Sequence, residues 1–251
     1  MKVAIVGYGG MGHEVEKILK TRGHKYITID VQDNTAQFKE LKPETLSGIE
    51  AAIDFTLPKS VLENVKTYAS AGTNVVIGTT GWGEHLQEVK KIVSEAGTGM
   101  IWSSNFSVGV NLFYQMVEAA AQIADNVPEY DVFLHELHHN RKQDSPSGTA
   151  KTLANLLLKN IRRKKKAVYD KLDRRIEPDE LHVSSTRGGF VPGTHIVSFD
   201  SEADTIELKH TARSRQGFAL GAVLAAEFIK GKKGCFEIGD LMENIVRRTH
   251  V

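Results

Sequence analysis

The residues best suited to chemistry lie in one stretch, His135-Glu136-Leu137-His138-His139-Asn140-Arg141-Lys142-Gln143-Asp144-Ser145-Pro146-Ser147-Gly148-Thr149, which gathers three His, a Lys, an Arg and two acids into fifteen residues. Imidazole is the side chain whose ordinary pKa suits proton transfer near neutrality. Cations placed just before a helix start suit an anion, because the first backbone N–H groups of a helix are unpaired and lie at the positive end of its dipole. The combination points to an anionic substrate that also needs a proton. His135-Glu136-Leu137-His138-His139 matches the H-E-x-x-H zinc pattern as well. That pattern requires both outer His on one helical face, and the apolar residues before it and Asp144-Ser145-Pro146-Ser147-Gly148 after it argue against a helix. A merely solvated polar loop is the plain alternative.

The elements that must position these residues can be read around them. Asp131-Val132-Phe133-Leu134 is apolar and β-compatible, so the histidines are expected to leave the end of a strand over Val132–Leu137. Ser145-Pro146-Ser147 offers an N-cap and a proline suited to a first turn. Ala150, Leu153, Ala154, Leu157 and Ile161 then recur at helical spacing on one face. Leu181–Arg187, Thr194–Asp200 and Thr205–Ala212 read as further strands, the last two joined by a turn at Ser201-Glu202-Ala203-Asp204.

Upstream, Lys2-Val3-Ala4-Ile5-Val6 runs into Gly7-Tyr8-Gly9-Gly10-Met11-Gly12 and then into an amphipathic segment, which is strand, glycine turn and helix. Gly7, Gly9 and Gly12 fit G-x-G-x-x-G, where the backbone turns tightly and approaches a pyrophosphate. A second strand, Tyr26–Ile29, ends in Asp30, eighteen residues past Gly12, where a ribose-binding acid is expected. Ala51–Thr56, Val75–Ile77 and Met100–Trp102 continue as buried strands separated by helical patterns, with Ser60 and Glu63 placed as a capping box. Gly78-Thr79-Thr80-Gly81 and Ser103-Ser104-Asn105-Phe106-Ser107 follow strand C-termini, where open α/β sheets bind ligands. Near the end of the chain, Phe218–Ile229 reads as an apolar helix. Phe236, Ile238, Leu241, Met242 and Ile245 form a helical tail after it, and Cys235 reads as a small packing residue.

The chain has 251 residues, 25% charged and 41% hydrophobic, with a net charge of +1, so neither a nucleic acid nor a membrane is implied as partner. Arg162-Arg163-Lys164-Lys165-Lys166 reads as a solvated helix end. A single cysteine excludes an internal disulfide and fits a reducing cytoplasm.

Taken together, Gly7–Gly12, Asp54-Phe55-Thr56, Gly78-Thr79-Thr80-Gly81, Asn105-Phe106-Ser107-Val108-Gly109-Val110-Asn111 and the His138-His139…Lys142…Asp144-Ser145-Pro146-Ser147-Gly148-Thr149 string resemble the 4-hydroxy-tetrahydrodipicolinate reductase (dihydrodipicolinate reductase) family. Arg187-Gly188-Gly189, Gly193-Thr194-His195 and the Phe218-Ala219-Leu220-Gly221-Ala222 helix fit too. The resemblance implies a Rossmann-type doubly wound parallel sheet with an inserted α+β substrate domain on a mixed sheet. Residues 1–107 plus 216–251 would bind the dinucleotide, and 108–215 the substrate and other subunits of a homotetramer. It also implies reduction of a small cyclic imine dicarboxylate by NADH or NADPH in lysine and diaminopimelate synthesis.

Carried over residue by residue, His138 would donate the proton with help from Lys142. His139, Lys142, Gly148 and Thr149 would hold the substrate, and no metal would be needed. Gly7, Gly9, Gly10, Met11, Gly12, Asp30, Gly78, Thr79, Thr80, Ser104, Asn105 and Phe106 would line the cofactor. The chain departs from many members in lacking an Arg before Met11-Gly12 and in having Val31 rather than Arg after Asp30, so NADH is expected to be preferred and NADPH possible. A non-catalytic NAD(H) sensor is the rival from another class. It would need neither His138 nor Lys142 beside an anion-binding helix start.

Overall fold

The computed structural model describes residues 1–169 and 171–247, and the chain divides into two compact units, Met1–Val108 with Arg215–Val251 and Gly109–Ser214. The first unit opens with β1 (Lys2–Val6), α1 (Gly10–Thr21), β2 (Lys25–Ile29), β3 (Ala51–Asp54), α2 (Val61–Ser70), β4 (Asn74–Ile77), α3 (Leu86–Ala96) and β5 (Gly99–Trp102). The next helix, α4 (Val108–Ala124), leads into the second unit, which holds β6 (Asp131–His138), α5 (Gly148–Asn160), β7 (Lys166–Val168), β8 (Glu180–Arg187), β9 (Thr194–Asp200) and β10 (Thr205–Thr211). The chain then returns to the first unit as α6 (Gln216–Ile229), β11 (Gly234–Glu237) and α7 (Ile238–Arg247).

In the first unit all strands are parallel, in the order β11-β5-β4-β3-β1-β2. The strand order reverses beside β1, so the loops after β1 and β3 open at a switch point, where such sheets bind ligands. Every residue of β3 and β4 is buried, which is why those strands are apolar runs rather than alternating ones. One face of the sheet packs on α1 and α6 and the other on α2 and α3. The helix α6 comes in close because Gly221 has no side chain: a Cβ there would collide with the Phe106 carbonyl. Gly221→Ala should therefore cost about 1–3 kcal/mol of stability through overpacking. Urea unfolding reads this directly, and an unchanged midpoint would show that α6 has room to move.

The second unit is a mixed five-stranded sheet, β10-β9-β6-β8-β7, with β6 at its centre, antiparallel to β9 and parallel to β8. Along β6, Val132, Leu134, Glu136 and His138 are buried. Period-2 alternation thus turns Glu136 and His138 to the face that carries the Leu153, Ala154 and Leu157 core of this unit.

Several expectations need correction. The Arg162–Lys166 run is a solvated helix end only in part: Arg162, Lys165 and Lys166 are exposed, but Lys164 is not. Lys164 is 3% exposed, and its Nζ donates to Glu180 O (2.7 Å) and Pro178 O (3.0 Å) and pairs with Asp131 (2.6 Å). Arg162 pairs with Asp125, and Lys166 begins the short strand β7. Lys164 fastens the chain after α5 to the sheet and Arg162 ties it to the end of α4, through partners that lie far away in sequence. The stretch before α7 is a strand rather than part of a helical tail, because Gly234–Glu237 pairs with Gly99–Trp102. Strand alternation there leaves Cys235 exposed, not packed. Ser60 makes no side-chain cap, since Pro58–Ser60 already forms a helical turn that runs straight into α2.

Candidate active site

The glycine loop of the first unit is built from local necessities. Gly7 has φ +88°, and a Cβ on it would strike the Phe55 carbonyl, so only glycine lets β1 pass the end of β3 here. A Cβ on Gly12 would stand 2.5 Å from the Gly7 carbonyl, which sets how closely α1 can follow the strand. At Gly9 a Cβ would meet nothing within 4 Å. That open space, facing the first N–H groups of α1, is a cradle that fits a pyrophosphate and that a side chain would fill. Gly7, Gly9, Gly10, Met11, Gly12, Gly78, Thr79 and Thr80 border one cleft together with Phe55 and Thr56. Asp30, Val31 and Gln32 border a second cleft that shares Gly7, Gly9 and Thr56.

Asp30 works harder than a ribose ligand alone would. Its carboxylate accepts from the backbone N–H of Tyr8 (2.7 Å), Gln32 (2.7 Å) and Asp33 (3.0 Å). Burial disfavours its charge, but the N–H groups of Asp33, Gln32 and Tyr8 outweigh that and hold its pKa below the ordinary value.

Ser104 and Asn105 follow β5 but do not border these two clefts. Asn105 closes a tight turn, donating to Ser103 Oγ and accepting from the Ser107 N–H. Phe106, expected at the cofactor, buries its ring (2% exposed) in the core beneath α6. Thr79 spends its hydroxyl on Asp54 (3.2 Å) and so has its backbone to offer. Asp54 is itself fully buried and also accepts from Thr56, Asn64 and Tyr68, tying the loops after β3 and β4 to α2. Its one sequence signal is an acid closing an otherwise apolar strand.

In the second unit the H-E-x-x-H string lies on β6 and its exit, not on a helix. Extended chain rises about 3.3 Å per residue, so His135 and His138 already stand roughly 10 Å apart along β6, and His139, just past the strand, is not stacked over His135 as one helical turn would place it. His135 Nδ1 bonds instead to Ser184 Oγ (2.6 Å). His138, the last residue of β6, is 8% exposed. Its Nδ1 lies 2.5 Å from Glu136 Oε2, at contact distance but without hydrogen-bond alignment.

His139 turns away from the strand, donating its backbone N–H to Val191 O (2.8 Å) and leaving its buried Nδ1 without a partner. Lys142 pairs with Asp144 (2.7 Å). Ser147 is the N-cap of α5, its Oγ accepting from the Ala150 N–H (3.2 Å). Pro146 therefore lies ahead of the cap rather than in the first turn. The Thr149 hydroxyl bonds to Tyr114, and a Cβ on Gly148 would meet nothing within 4 Å. The start of α5 thus has open space beside Gly148, and the first N–H groups that a helix leaves unpaired there suit a carboxylate.

Residues from outside the fifteen complete the site. Arg187, on β8, donates through Nη2 to Glu136 Oε1 (2.7 Å) and to Asp144 O (2.7 Å). His195, on β9, is 4% exposed and bonds through Nε2 to Ser147 Oγ (3.1 Å). Its ring lies 5.2 Å from that of His138, edge to face. Burial alone would raise the pKa of Glu136, but Arg187 and Ser147 pull it down to about 2. Burial lowers the pKa of His138, with Lys142 and Arg187 adding to the effect and Glu136 opposing it. His195 is pushed to about 4, by burial first and then by His138. Glu136, His138 and His195 each bring one ligand atom within 4.8 Å of the others, a spacing a metal could use. The Arg187 guanidinium already holds the Glu136 carboxylate, however, so the donor set suits proton chemistry better than a cation.

A doubly wound parallel sheet with a glycine loop at its switch point, followed in the same chain by a mixed sheet ending in a buried histidine, defines a dinucleotide-dependent oxidoreductase. Residues 1–106 match the family described as dihydrodipicolinate reductase, N-terminus, and residues 109–242 match its C-terminus. The chain belongs to the dihydrodipicolinate reductase family.

It is 38% identical over 248 residues to the 4-hydroxy-tetrahydrodipicolinate reductase of Christiangramia forsetii, covering 98% of this chain and 100% of that one. It is 37% identical over 208 residues to the enzyme of that name from Methanocaldococcus jannaschii, covering 81% and 73%. The dipicolinate-bound dihydrodipicolinate reductase of Paenisporosarcina sp. TG-14 shares the fold, with a TM-score of 0.76 at 24% identity over 94% of this chain and 97% of that one. A probable dehydrogenase of Thermotoga maritima shares it at a TM-score of 0.59, with 10% identity over 97% and 93%. Among the described residues, no helix is long and apolar enough to cross a membrane.

Proposed function

We propose that this protein reduces 4-hydroxy-tetrahydrodipicolinate to tetrahydrodipicolinate at the expense of NADH or NADPH, as a step of lysine and diaminopimelate synthesis. The observation that carries this reading is the placement of His138, buried at the end of β6 in the unit where the open N-terminus of α5 and Lys142 offer positive charge. The nicotinamide supplies a hydride when bound. The remaining work belongs to groups of this chain. Gly148 and Thr149 N–H, His139 and Lys142 bind the carboxylates, and His138 Nε2 delivers a proton to the carbon next to the reduced centre.

The glycine loop with Asp30, Gly78, Thr79, Thr80 and the backbone of Ser104 to Phe106 holds the dinucleotide in the same reading. Assembly as a homotetramer, a cytoplasmic setting and action without a metal belong to it too, by family likeness. A non-catalytic sensor has no use for a buried imidazole held against a carboxylate. Oxidation of reduced nicotinamide, with substrate generated in situ from pyruvate and aspartate semialdehyde, tests the proposal. Reduction no faster than without protein would overturn it.

NADH is the proposed preferred donor. Asp30 is ionised and held by three backbone N–H groups, so it cannot swing away from a 2′-phosphate. Val31, 76% exposed, brings no cation to the same cleft. We expect kcat/KM to be higher with NADH and Val31→Arg to narrow the ratio. A wild-type preference for NADPH in steady-state assays would refute the assignment.

A further inference from the structure

Glu136 has no solvent exposure, yet it makes close contacts with three separate elements. Its Oε1 accepts from Arg187 Nη2 (2.7 Å) and from the Ser147 N–H (3.1 Å), and its Oε2 lies 2.5 Å from His138 Nδ1 and 3.9 Å from His195 Nε2. On the far side of the imidazole, a Cβ at Gly193 would stand 2.9 Å from His138 Nε2, so any side chain there would crowd that nitrogen and glycine does not.

We propose that Glu136 is a positioning residue: one oxygen holds the His138 ring through Nδ1 while the other holds the N-cap of α5, so the proton donor is registered against the anion-binding helix end and can release only its Nε2 proton. This rests on the reading of His138 as the acid. Which nitrogen of a histidine carries the proton is set by the partner of the other nitrogen. With an ionised carboxylate at Nδ1, the neutral ring left after transfer keeps its Nδ1 proton, and the transferred proton departs from Nε2 to the substrate carbon. Arg187 keeps Glu136 charged, and Ser147 passes the same constraint to Gly148 and Thr149, whose N–H groups follow it directly. His195 supports the other side of Ser147. A carboxylate kept only to neutralise Arg187 would leave the tautomer of His138 unconstrained.

The ring-nitrogen ¹⁵N shifts of His138 in the wild-type protein, recorded above the pKa of that histidine, test the contact without any variant. The Nδ1–H tautomer is expected, and the Nε2–H tautomer would overturn the proposal. Glu136→Gln then tests the consequence. Its kcat should fall roughly 10²–10⁴-fold, the span that general acid catalysis covers, its upper end being the loss seen when a triad carboxylate becomes an amide and the wrong tautomer results, with KM for NADH within twofold. The alkaline limb of its kcat/KM profile should move to lower pH, because the carboxylate favours the imidazolium, and Glu136→Asp should recover part of the loss. A folded Glu136→Gln protein with kcat within threefold of wild type and an unmoved limb would overturn the role. If the variant does not fold, the tautomer decides. Should His138→Gln turn over normally, the functional reading fails on its own account, and the ¹⁵N shifts still decide whether Glu136 holds the ring.

Discussion

His138→Gln should lower kcat by roughly 10²–10⁴-fold, about 3–5 kcal/mol of barrier, and change KM for the imine far less. The ring is 8% exposed, its Nδ1 lies 2.5 Å from Glu136 Oε2, and its Nε2 lies beside Gly193, where a Cβ would come within 2.9 Å. Glutamine keeps a similar shape and some hydrogen bonding but cannot give up a proton. The pH profile makes the test sharper. Burial, Lys142 and Arg187 hold the pKa of His138 below its ordinary value of 6.5, against Glu136. An acid must be protonated to act, so kcat/KM, which reports the substrate-free protein, should fall as pH rises through that lowered pKa. Two carboxylates arriving beside the ring favour its charged form, so kcat should hold to higher pH than kcat/KM. In His138→Gln that limb should vanish. If the variant, folded and binding NADH normally, turned over within threefold of wild type, the acid would have to be another group.

Local features of this site were legible in the chain before the fold was known. The glycine loop declares itself because its three glycines, the strand before them and the helix after them are contiguous. The β-compatible residues from Asp131 to Leu134 were enough to overrule the zinc pattern, since period-2 burial along β6 puts a strand where that pattern needs a helix. Contacts across the sheet were not legible. Glu136 meets Arg187 51 positions on, and only the pairing of β6 with β8 and β9 brings Arg187 and His195 to it. Lys164 looked like a surface charge for the same reason, as its acceptors lie on Asp131, Pro178 and Glu180. The strand β11 was missed because four residues carry too little alternation to stand out from a helical pattern. Motifs whose partners are neighbours in sequence can be recognised alone, whereas networks that depend on strand register need the fold.

Lys142→Ala should lower kcat and raise KM together, with kcat/KM falling about 10²–10³-fold, the scale on which preorganised charge acts in a site shielded from water. The side chain is 22% exposed, and its Nζ lies 2.7 Å from Asp144. A plain reading makes this a partly exposed ion pair, worth about 0–1 kcal/mol of stability and nothing in turnover. Under that reading, Lys142→Ala and Asp144→Ala would have the same small effect. The electrostatics argue otherwise. The charge on Lys142 lowers the pKa of both His138 and His195, so it reaches the pocket as well as the surface carboxylate. Removing it should therefore move the alkaline limb of kcat/KM to higher pH, because the His138 imidazolium loses a repelling neighbour. Asp144→Ala, which leaves that cation in place and frees it for the substrate, should do neither. A binding role alone would raise KM and spare kcat, and a purely structural one would lower thermal stability without moving the limb. The joint result expected is a lower kcat, a higher KM and a limb shifted to higher pH in Lys142→Ala, with NADH affinity unchanged. An unmoved limb, or equal behaviour of the Lys142 and Asp144 variants, would return Lys142 to the protein surface.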